Sequence, residues 1–585
     1  MEEKPVETKP RNRKMLYAVV AVIVVAIVVI SGVAVYFLTL PHKYTVQLSF
    51  NNDGHYGDTE NNLATVIKNS IESCGKVSVT LNSDPWAVYG PKRRNGDLSI
   101  MLMGWYPDYF DTDDYLSPFL VTGNNRWAGS FYGNSTVDKW IADEQTIINV
   151  ATRSDRFTKI QDKLAADVPY IPLFTGYLEA AYLNNLKNVS LHPINFKWFI
   201  VNNTASNTIT ASTSDHIEKS LDPAQAYDYF ATELVWNIFD NLLVYQPDKA
   251  VLMPGLAQQV PTIANGLVSA DGKNYTYNLK PGILFSDGTA LNASVVKRSI
   301  DRAIRIDDPD GPAFLLYDVG KLGRNATNGN NTAPGVITVT PNDLSITFHL
   351  SAPVPFFNDI LAFTVAAPVP WNYKQDGLQP STPGSVIGSG PYKLTGHTPN
   401  QQFILSRNAL YYNPTLYAQF GIPTIPVEDT VTINVRTSST ILKNDLTVTP
   451  KLADVVYRTL NVEDTKDLQT RASALGIKVD IATSPFIRYM VFNVGTKPAA
   501  ITDVRVRQAI AYSIDRQAIA RDVFGGNVQP LYSLVPSGFP FSVGYAKPVF
   551  QTAYGDNNCA AANALWSKVG ASLGFAEVEL IAKDA

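Results

Sequence analysis

Charged residues are scarce in this chain of 585 residues. Asp, Glu, Lys and Arg make up 17% of it, against about 25% in an average soluble protein. The formal net charge is −4, and no Lys/Arg patch stands out beyond the N-terminus. The chain therefore lacks the basic surface that nucleic-acid binding requires, and we expect no nucleic-acid partner.

Signatures of catalysis are also lacking. There is no G-x-S-x-G elbow and no H-E-x-x-H pair, and none of the six histidines lies four residues from another. Serine hydrolases and zinc proteases depend on those patterns. We therefore predict a protein that is not an enzyme and that uses no cofactor or metal. Because any two carboxylates can meet in a cleft, an anchored extracellular hydrolase remains the alternative.

One long apolar run occupies residues 15–40 and contains no charge. At about 1.5 Å per residue, a helix of this length exceeds the roughly 30 Å of a bilayer core, whereas a signal peptide has an apolar region of only about 7–15 residues. Lys and Arg side chains precede the run. The positive-inside rule therefore predicts a cytoplasmic tail at 1–14, a single transmembrane anchor at 15–40 and an extracellular remainder.

Asn-X-Ser/Thr sequons support an extracellular location. Each alone is a weak signal, but together with the anchor they predict a glycosylated extracellular domain. The sequons begin at Asn134, Asn188, Asn202, Asn274, Asn292, Asn325 and Asn330.

Hydrophobic patterning after the apolar run alternates between strand and helix periods. Residues 44–50 alternate apolar and polar side chains, residues 60–74 place apolar side chains on one helical stripe, and residues 98–105 indicate a buried strand. We expect residues 136–165 to be helical. Strands that alternate with helices predict an α/β fold.

An acidic, aromatic stretch, GWYPDYFDTDD, follows the buried strand at residues 104–114. Four aspartates and four aromatic side chains share eleven positions, which is typical of a loop that binds something. Within it, we expect Asp111, Asp113 and Asp114 to be solvated or to cap the following helix.

Four blocks of the sequence carry a family resemblance, and they lie at residues 271–303, 388–394, 491–519, and 98–119 with 166–174. They resemble family 5 solute-binding proteins of ABC transporters, the oligopeptide- and dipeptide-binding group. The resemblance implies the two-lobe, class II fold of periplasmic binding proteins, with an extra subdomain in the first lobe.

The order of these blocks differs from the order in the family, where the GW-x-x-DY block comes last. The chain therefore resembles a circular permutation of the family, although a fusion of two gene fragments is the alternative. The resemblance implies a second lobe built from 44–176 with 489–585. It also implies a first lobe at 177–488, with the extra subdomain at about 250–375.

The resemblance also implies a ligand site at the mouth between the lobes. There Asp108 would meet the α-ammonium group of a peptide, and Arg93 or Arg94 would meet a carboxylate. Aromatic walls can also stack sugar rings, so an oligosaccharide is the alternative ligand. The implied aromatic side chains are Trp86, Trp105, Tyr106 and Tyr109.

The permuted order implies that Cys74 and Cys559, the two cysteines of the chain, both lie in the second lobe. A disulfide between them is possible there, because an extracellular location permits it. The resemblance implies that the lobes close on the ligand and that ABC permease subunits receive it. It thus implies a membrane-anchored substrate-binding subunit of an importer.

Overall fold

The computed structural model describes residues 44–495, 499–538 and 547–573. The predicted cytoplasmic tail and transmembrane anchor lie outside these residues. Among the helices within the described ranges, none is long and apolar enough to cross a bilayer.

A single mixed sheet of eleven strands extends through the molecule. Its order is β13-β14-β15-β7-β16-β4-β17-β3-β1-β2, with β18 paired to β4. The α/β prediction is confirmed. The strands are β1 (Tyr44–Asn51), β2 (Val77–Asp84), β3 (Ile100–Trp105), β4 (Tyr170–Leu183), β5 (Leu186–Lys187), β6 (Asn202–Asn203), β7 (Thr208–Thr213), β8 (Leu243–Tyr245), β9 (Leu252–Pro254), β10 (Asn274–Asn278), β11 (Ile337–Val339), β12 (Ser345–His349), β13 (Tyr392–Thr398), β14 (Gln402–Arg407), β15 (Thr430–Val435), β16 (Val455–Tyr457), β17 (Ile477–Phe492) and β18 (Gln529–Pro530).

Helices cover this sheet and fill the connections. The single helix predicted at 136–165 is wrong, because the chain breaks at 145–149 and Asn149 caps a new helix by accepting a hydrogen bond from the Thr152 amide at 3.0 Å. The α-helices are Glu60–Ser73, Trp86–Asn95, Ser117–Leu120, Ser135–Glu144, Val150–Asp167, Tyr229–Ile238, Ala293–Ile306, Phe357–Ile360, Ser439–Thr447, Val462–Leu475, Ala499–Thr502, Val504–Ser513, Arg516–Ala518, Val549–Ala553 and Cys559–Leu573.

Buried side chains fall into two packed regions. The split region combines residues 44–174 with the described residues from 487 onward, and its apolar side chains form one core. The continuous region, residues 180–477, contains the remaining cores. One of these surrounds the small sheet β10-β12-β11, within the predicted extra subdomain.

Two long strands connect the regions. β4 and β17 pair antiparallel along most of their length, from Tyr170 opposite Val491 to Leu183 opposite Ile477. The predicted lobe boundaries, near residues 176 and 489, fall inside these strands. The connection between the regions is therefore a paired ribbon within the main sheet.

The two sequence segments of the split region meet at β1. The Tyr44 ring stacks on Trp566 with centroids 4.8 Å apart, and the Asn563 amide donates to the Cys74 carbonyl at 3.0 Å. Cys74 and Cys559 form a disulfide at the same place. Residues 485 positions apart in sequence are thereby fastened in one core.

Candidate functional site

The loop after β3 crosses from one region to the other. Trp105, at the end of β3, packs on Trp127 and Phe119 of the split region, with centroids 4.7 and 5.5 Å away. A few residues later, Tyr109 and Phe110 belong to a core of the continuous region. The acidic, aromatic loop therefore lies at the junction of the two regions.

Asp108 lies in this junction and is 9% exposed. Its Oδ2 accepts a hydrogen bond at 2.8 Å from the hydroxyl of Tyr227, in the continuous region. Burial raises the pKa of Asp108 to about 7, although the hydrogen bond from Tyr227 lowers it. Asp108 therefore keeps its proton more readily than an exposed aspartate does.

Asp114 supports Asp108 from within the loop. Its Oδ2 accepts from the Asp108 amide at 2.8 Å and from Trp105 Nε1 at 3.2 Å, whereas its buried Oδ1 has no hydrogen-bond partner. Burial raises the pKa of Asp114 well above its usual range, and the nearby charge of Asp108 raises it further.

The expectation that the other loop aspartates are solvated is wrong. Asp113 and Asp114 are buried, and Asp111 forms a bidentate ion pair with Arg153 at 2.7 Å. Asp111 does cap the 3-10 turn Thr112–Tyr115, accepting from the Asp113 amide at 2.8 Å. Arg153 neutralises Asp111, and hydroxyl and amide groups donate to Asp113, whereas Asp114 is only partly satisfied.

Tyr106 and Tyr109 both reach the continuous region. The Tyr106 hydroxyl lies within hydrogen-bond distance of the carbonyls of Pro193 and Ile194 and of the Tyr229 hydroxyl, the last at 3.1 Å. The Tyr109 ring stacks on Phe356 at 4.9 Å. Both side chains join the two regions directly.

Trp86 and Arg93 lie together in the split region. Trp86 stacks on His55 with centroids 3.7 Å apart, and the Arg93 guanidinium lies 5.0 Å from the Trp86 centroid. Arg93 is buried, Nη1 contacts Met103 Sδ at 2.8 Å, and Nε has no hydrogen-bond partner. Arg94 is exposed. Within the described residues, Arg93 forms no ion pair with a carboxylate.

His55 faces the continuous region, where its Nδ1 lies 4.0 Å from Glu218. Burial, together with the charge of Arg488, lowers the pKa of His55 to about 4. Arg488 is buried, pairs with Glu60 at 2.6 Å and lies 3.9 Å from the centroid of Tyr56. The imidazole is therefore neutral at physiological pH.

A second charged cluster lies in the continuous region and was missed by the sequence reasoning. Arg458 pairs with Asp215 at 2.7 Å and with the fully buried Glu233 at 2.6 Å. Its guanidinium covers the Tyr229 ring at 4.0 Å. Tyr229, Glu233 and Arg458 line a cavity of about 20 Å³ that also borders Glu179 and His192, which is room for a water molecule.

The missed residues share one property. They all lie more than 100 residues from the loop in sequence, so local sequence patterns could not predict that they fold close to it. These residues are Asp215, Tyr227, Tyr229, Glu233 and Arg458. Within the described part of the chain, no group of His, Cys, Asp and Glu side chains is arranged to hold a metal ion.

The fold and the comparisons together define a solute-binding protein. Residues 252–583 match the model of the bacterial extracellular solute-binding proteins, family 5 (middle region). The chain belongs to this family, which consists of binding proteins rather than enzymes, and the resemblance predicted from the sequence is confirmed.

Curated relatives match over part of their length. The periplasmic murein peptide-binding protein MppA of Escherichia coli K12 is 23% identical over 54% of this chain and 55% of its own. The oligopeptide-binding protein OppA of Bacillus subtilis 168 is 23% identical over 54% of each, and the glutathione-binding protein GsiB of Escherichia coli K12 is 26% identical over 56% of each. The chain thus spans about half the length of the curated relatives it matches.

Solved structures of binding proteins are similar to part of this chain. The Escherichia coli murein tripeptide binding protein MppA superposes with a TM-score of 0.44 at 19% identity, over 62% of this chain and 66% of that one. Haemophilus influenzae OppA, in complex with the peptide RPPGFSPFR, gives a TM-score of 0.42 at 18% identity, over 62% and 67%.

Proposed function

We propose that this protein captures peptides with a free N-terminus for an ABC importer. The observation that carries the proposal is Asp108, an acid with raised pKa at the junction of the two regions, with no cation paired to it among the described residues. A peptide's ammonium group supplies the missing charge, and charge-assisted hydrogen bonds in a dry site are strong. The relatives described above are peptide- or glutathione-binding proteins, which supports this ligand class.

The proposal includes closure of two lobes about β4 and β17. The Asp108–Tyr227 and Tyr106–Tyr229 contacts join the split and continuous regions, and they support a closed arrangement of the kind that a ligand stabilises by differential affinity. Trp105, Tyr106 and Tyr109 wall the site in this proposal. Arg93, buried without an acidic partner, is the candidate for the ligand's carboxylate.

Location and topology belong to the same proposal. The apolar run at 15–40 anchors the chain, the remainder is extracellular, and permease subunits receive the ligand. The exposed sequon asparagines Asn188 and Asn330 are candidate glycan carriers. A circular permutation, with the Cys74–Cys559 disulfide fastening the rearranged segments, accounts for the split core and for relatives that match only about half of the chain.

Thermal-shift screening of the full chain against di- to pentapeptides and oligosaccharides tests the proposal. A ligand at a hundredfold excess over its Kd stabilises the native state by about 2.7 kcal/mol. We expect stabilisation by peptides. Loss of the ammonium charge by N-acetylation, or the substitution Asp108→Asn, should weaken binding by about tenfold or more, because a charge-assisted hydrogen bond is removed.

Asp155→Asn is the matched control, because this exposed acid lies on the helix Val150–Asp167 and should leave binding unchanged. A shift with oligosaccharides alone would keep the transport role and remove Asp108 from it. Tight binding of N-acetylated peptides would contradict the ammonium contact.

A further inference from the structure

The carboxyl groups of Asp108 and Asp114 form a buried pair without a cation. Their hydrogen-bond partners are neutral: the Tyr227 hydroxyl for Asp108, and the Asp108 amide and Trp105 Nε1 for Asp114. Within the described residues, no Lys, Arg or His lies within ion-pair distance of either carboxyl. Arg153, which contacts the same loop, is engaged by other acids, Asp111 and Glu144.

The groups that face the pair do not neutralise it. Asp114 faces Asp108, Asp113, Tyr109 and Tyr115, and Asp108 faces Tyr227 and Asp114. All of these are acids or hydroxyls. Two adjacent carboxylates in a dry setting are strongly disfavoured, so at least one of them retains a proton while no cation is present.

The hydrogen bonds indicate which acid keeps that proton. Asp114 Oδ2 accepts both N–H donors, and Oδ1 is buried without a partner. Protonation of Asp114 at Oδ1 removes the desolvation cost of a buried charge, and it leaves both N–H hydrogen bonds to Oδ2 intact. Asp108 is 9% exposed, against 1% for Asp114, so Asp108 is the member of the pair that is nearer to solvent.

We propose that ligand capture at this pair exchanges a proton for an ammonium group, and that Asp114 is the positioning residue that stays protonated. In this exchange, which rests on the proposed function, the ligand's ammonium keeps its own protons. The Asp108 carboxyl releases its proton to solvent as it becomes the carboxylate that pairs with the ammonium. One proton leaves for each ligand that binds, while Asp114 holds the Asp108 backbone and the Trp105 ring.

The sign of the pH dependence follows from this exchange. Below about pH 7, where Asp108 is protonated before binding, affinity should rise about tenfold per pH unit, since each binding event releases one proton. Above about pH 8 affinity should fall again, because a peptide's α-amino group has a pKa of about 7.7–8.0 and loses its charge. Binding is thus strongest between these limits and weakens in acid.

Calorimetric titration of the full chain with tetra-alanine, in buffers of different ionisation enthalpy, counts the protons. We expect roughly one proton released per peptide at pH 5.5 and close to none at pH 7.5. Asp114→Asn, which mimics the protonated acid, should retain both the affinity and the proton release. Asp114→Leu, which cannot accept the two N–H donors, should bind at least tenfold more weakly.

An infrared comparison without ligand tests Asp114 directly. At pH 6 the wild-type spectrum minus the Asp114→Asn spectrum should contain the carbonyl band of a protonated carboxyl, whereas subtraction of the Asp155→Asn spectrum should not. Absence of that band, or tetra-alanine binding without proton release at pH 5.5, overturns the exchange and leaves the proposed function standing. If no peptide binds at any pH, the proposed function fails, and the infrared band still decides whether Asp114 is protonated.

Discussion

Two buried acid clusters lie on either side of the junction and solve the same electrostatic problem differently. In the continuous region, Asp215 and Glu233 share the guanidinium of Arg458, and Glu233 also accepts from Tyr457 and Trp198. In the loop of the split region, Asp108 and Asp114 have only neutral donors. The first cluster is complete within the chain, whereas the second lacks a cation.

The difference separates acids that stabilise the fold through an internal ion pair from acids whose charge can change with pH or with a bound cation. A carboxylate that is paired inside a protein is fixed, because removing its partner leaves an uncompensated buried charge. An unpaired buried acid can change its charge with pH or with a cation from outside. Burial and acidity alone therefore do not identify a binding residue, and the lack of a cationic partner is what makes Asp108 the candidate in our proposal.

The largest loss of stability is expected when Arg458, the cation of the first cluster, is removed. Arg458→Met should lower the free energy of unfolding by about 3 kcal/mol at pH 7, because Asp215 and Glu233 then lack their cation. Urea unfolding measures this loss. Arg521→Met is the control, since Arg521 forms an exposed pair with Asp522 and should be neutral. Equal stability of the two variants would show that Arg458 is dispensable.

Removing charge from the second cluster, Asp108 and Asp114, should instead raise the free energy of unfolding at neutral pH. The pKa of Asp108 is about 7 in the folded chain, above its unfolded value of about 3.9, so its contribution to stability is present below about pH 4 and is lost as pH rises to 7. The double variant Asp108→Asn/Asp114→Asn should escape this loss. Relative to wild type, it should gain about 4 kcal/mol in free energy of unfolding between pH 4 and pH 8, because the folded and unfolded pKa values of Asp108 differ by about three units. Parallel pH curves for the two proteins would contradict the prediction.

A smaller effect should distinguish the hydroxyls that flank the junction. Tyr227→Phe removes the donor to Asp108 and should cost about 1 kcal/mol at pH 8, where Asp108 is ionised, and less at pH 5. Tyr229→Phe removes only a bond between two hydroxyls and should have a cost that does not vary with pH. Chemical unfolding of both variants at the two pH values makes the comparison. A pH-independent cost for Tyr227→Phe would mean that Asp108 does not titrate in this range.

Local sequence patterns predicted secondary-structure elements but not the tertiary contacts between them. The strand expected at 44–50 is present because Val46, Leu48 and Phe50 alternate into a core, and the helix expected at 60–74 spans Glu60–Ser73. The internal position of Asp113 and Asp114 could not be predicted, because the loop is covered by side chains that are distant in sequence. Aspartate runs are usually solvated, and only the tertiary contacts reverse that expectation.

The ribbon formed by β4 and β17 has a mechanical consequence. Its ladder of interstrand hydrogen bonds resists stretching and shear, whereas the twist between neighbouring strands varies over a wide range and is larger in two-stranded ribbons. We therefore expect twisting of the ribbon, rather than separation of its strands, to accommodate any change in the mutual orientation of the regions. The ribbon also contacts the acidic loop, since Ile487 pairs with Trp105 and the Tyr115 hydroxyl donates to the Pro485 carbonyl, so such twisting would displace the loop directly.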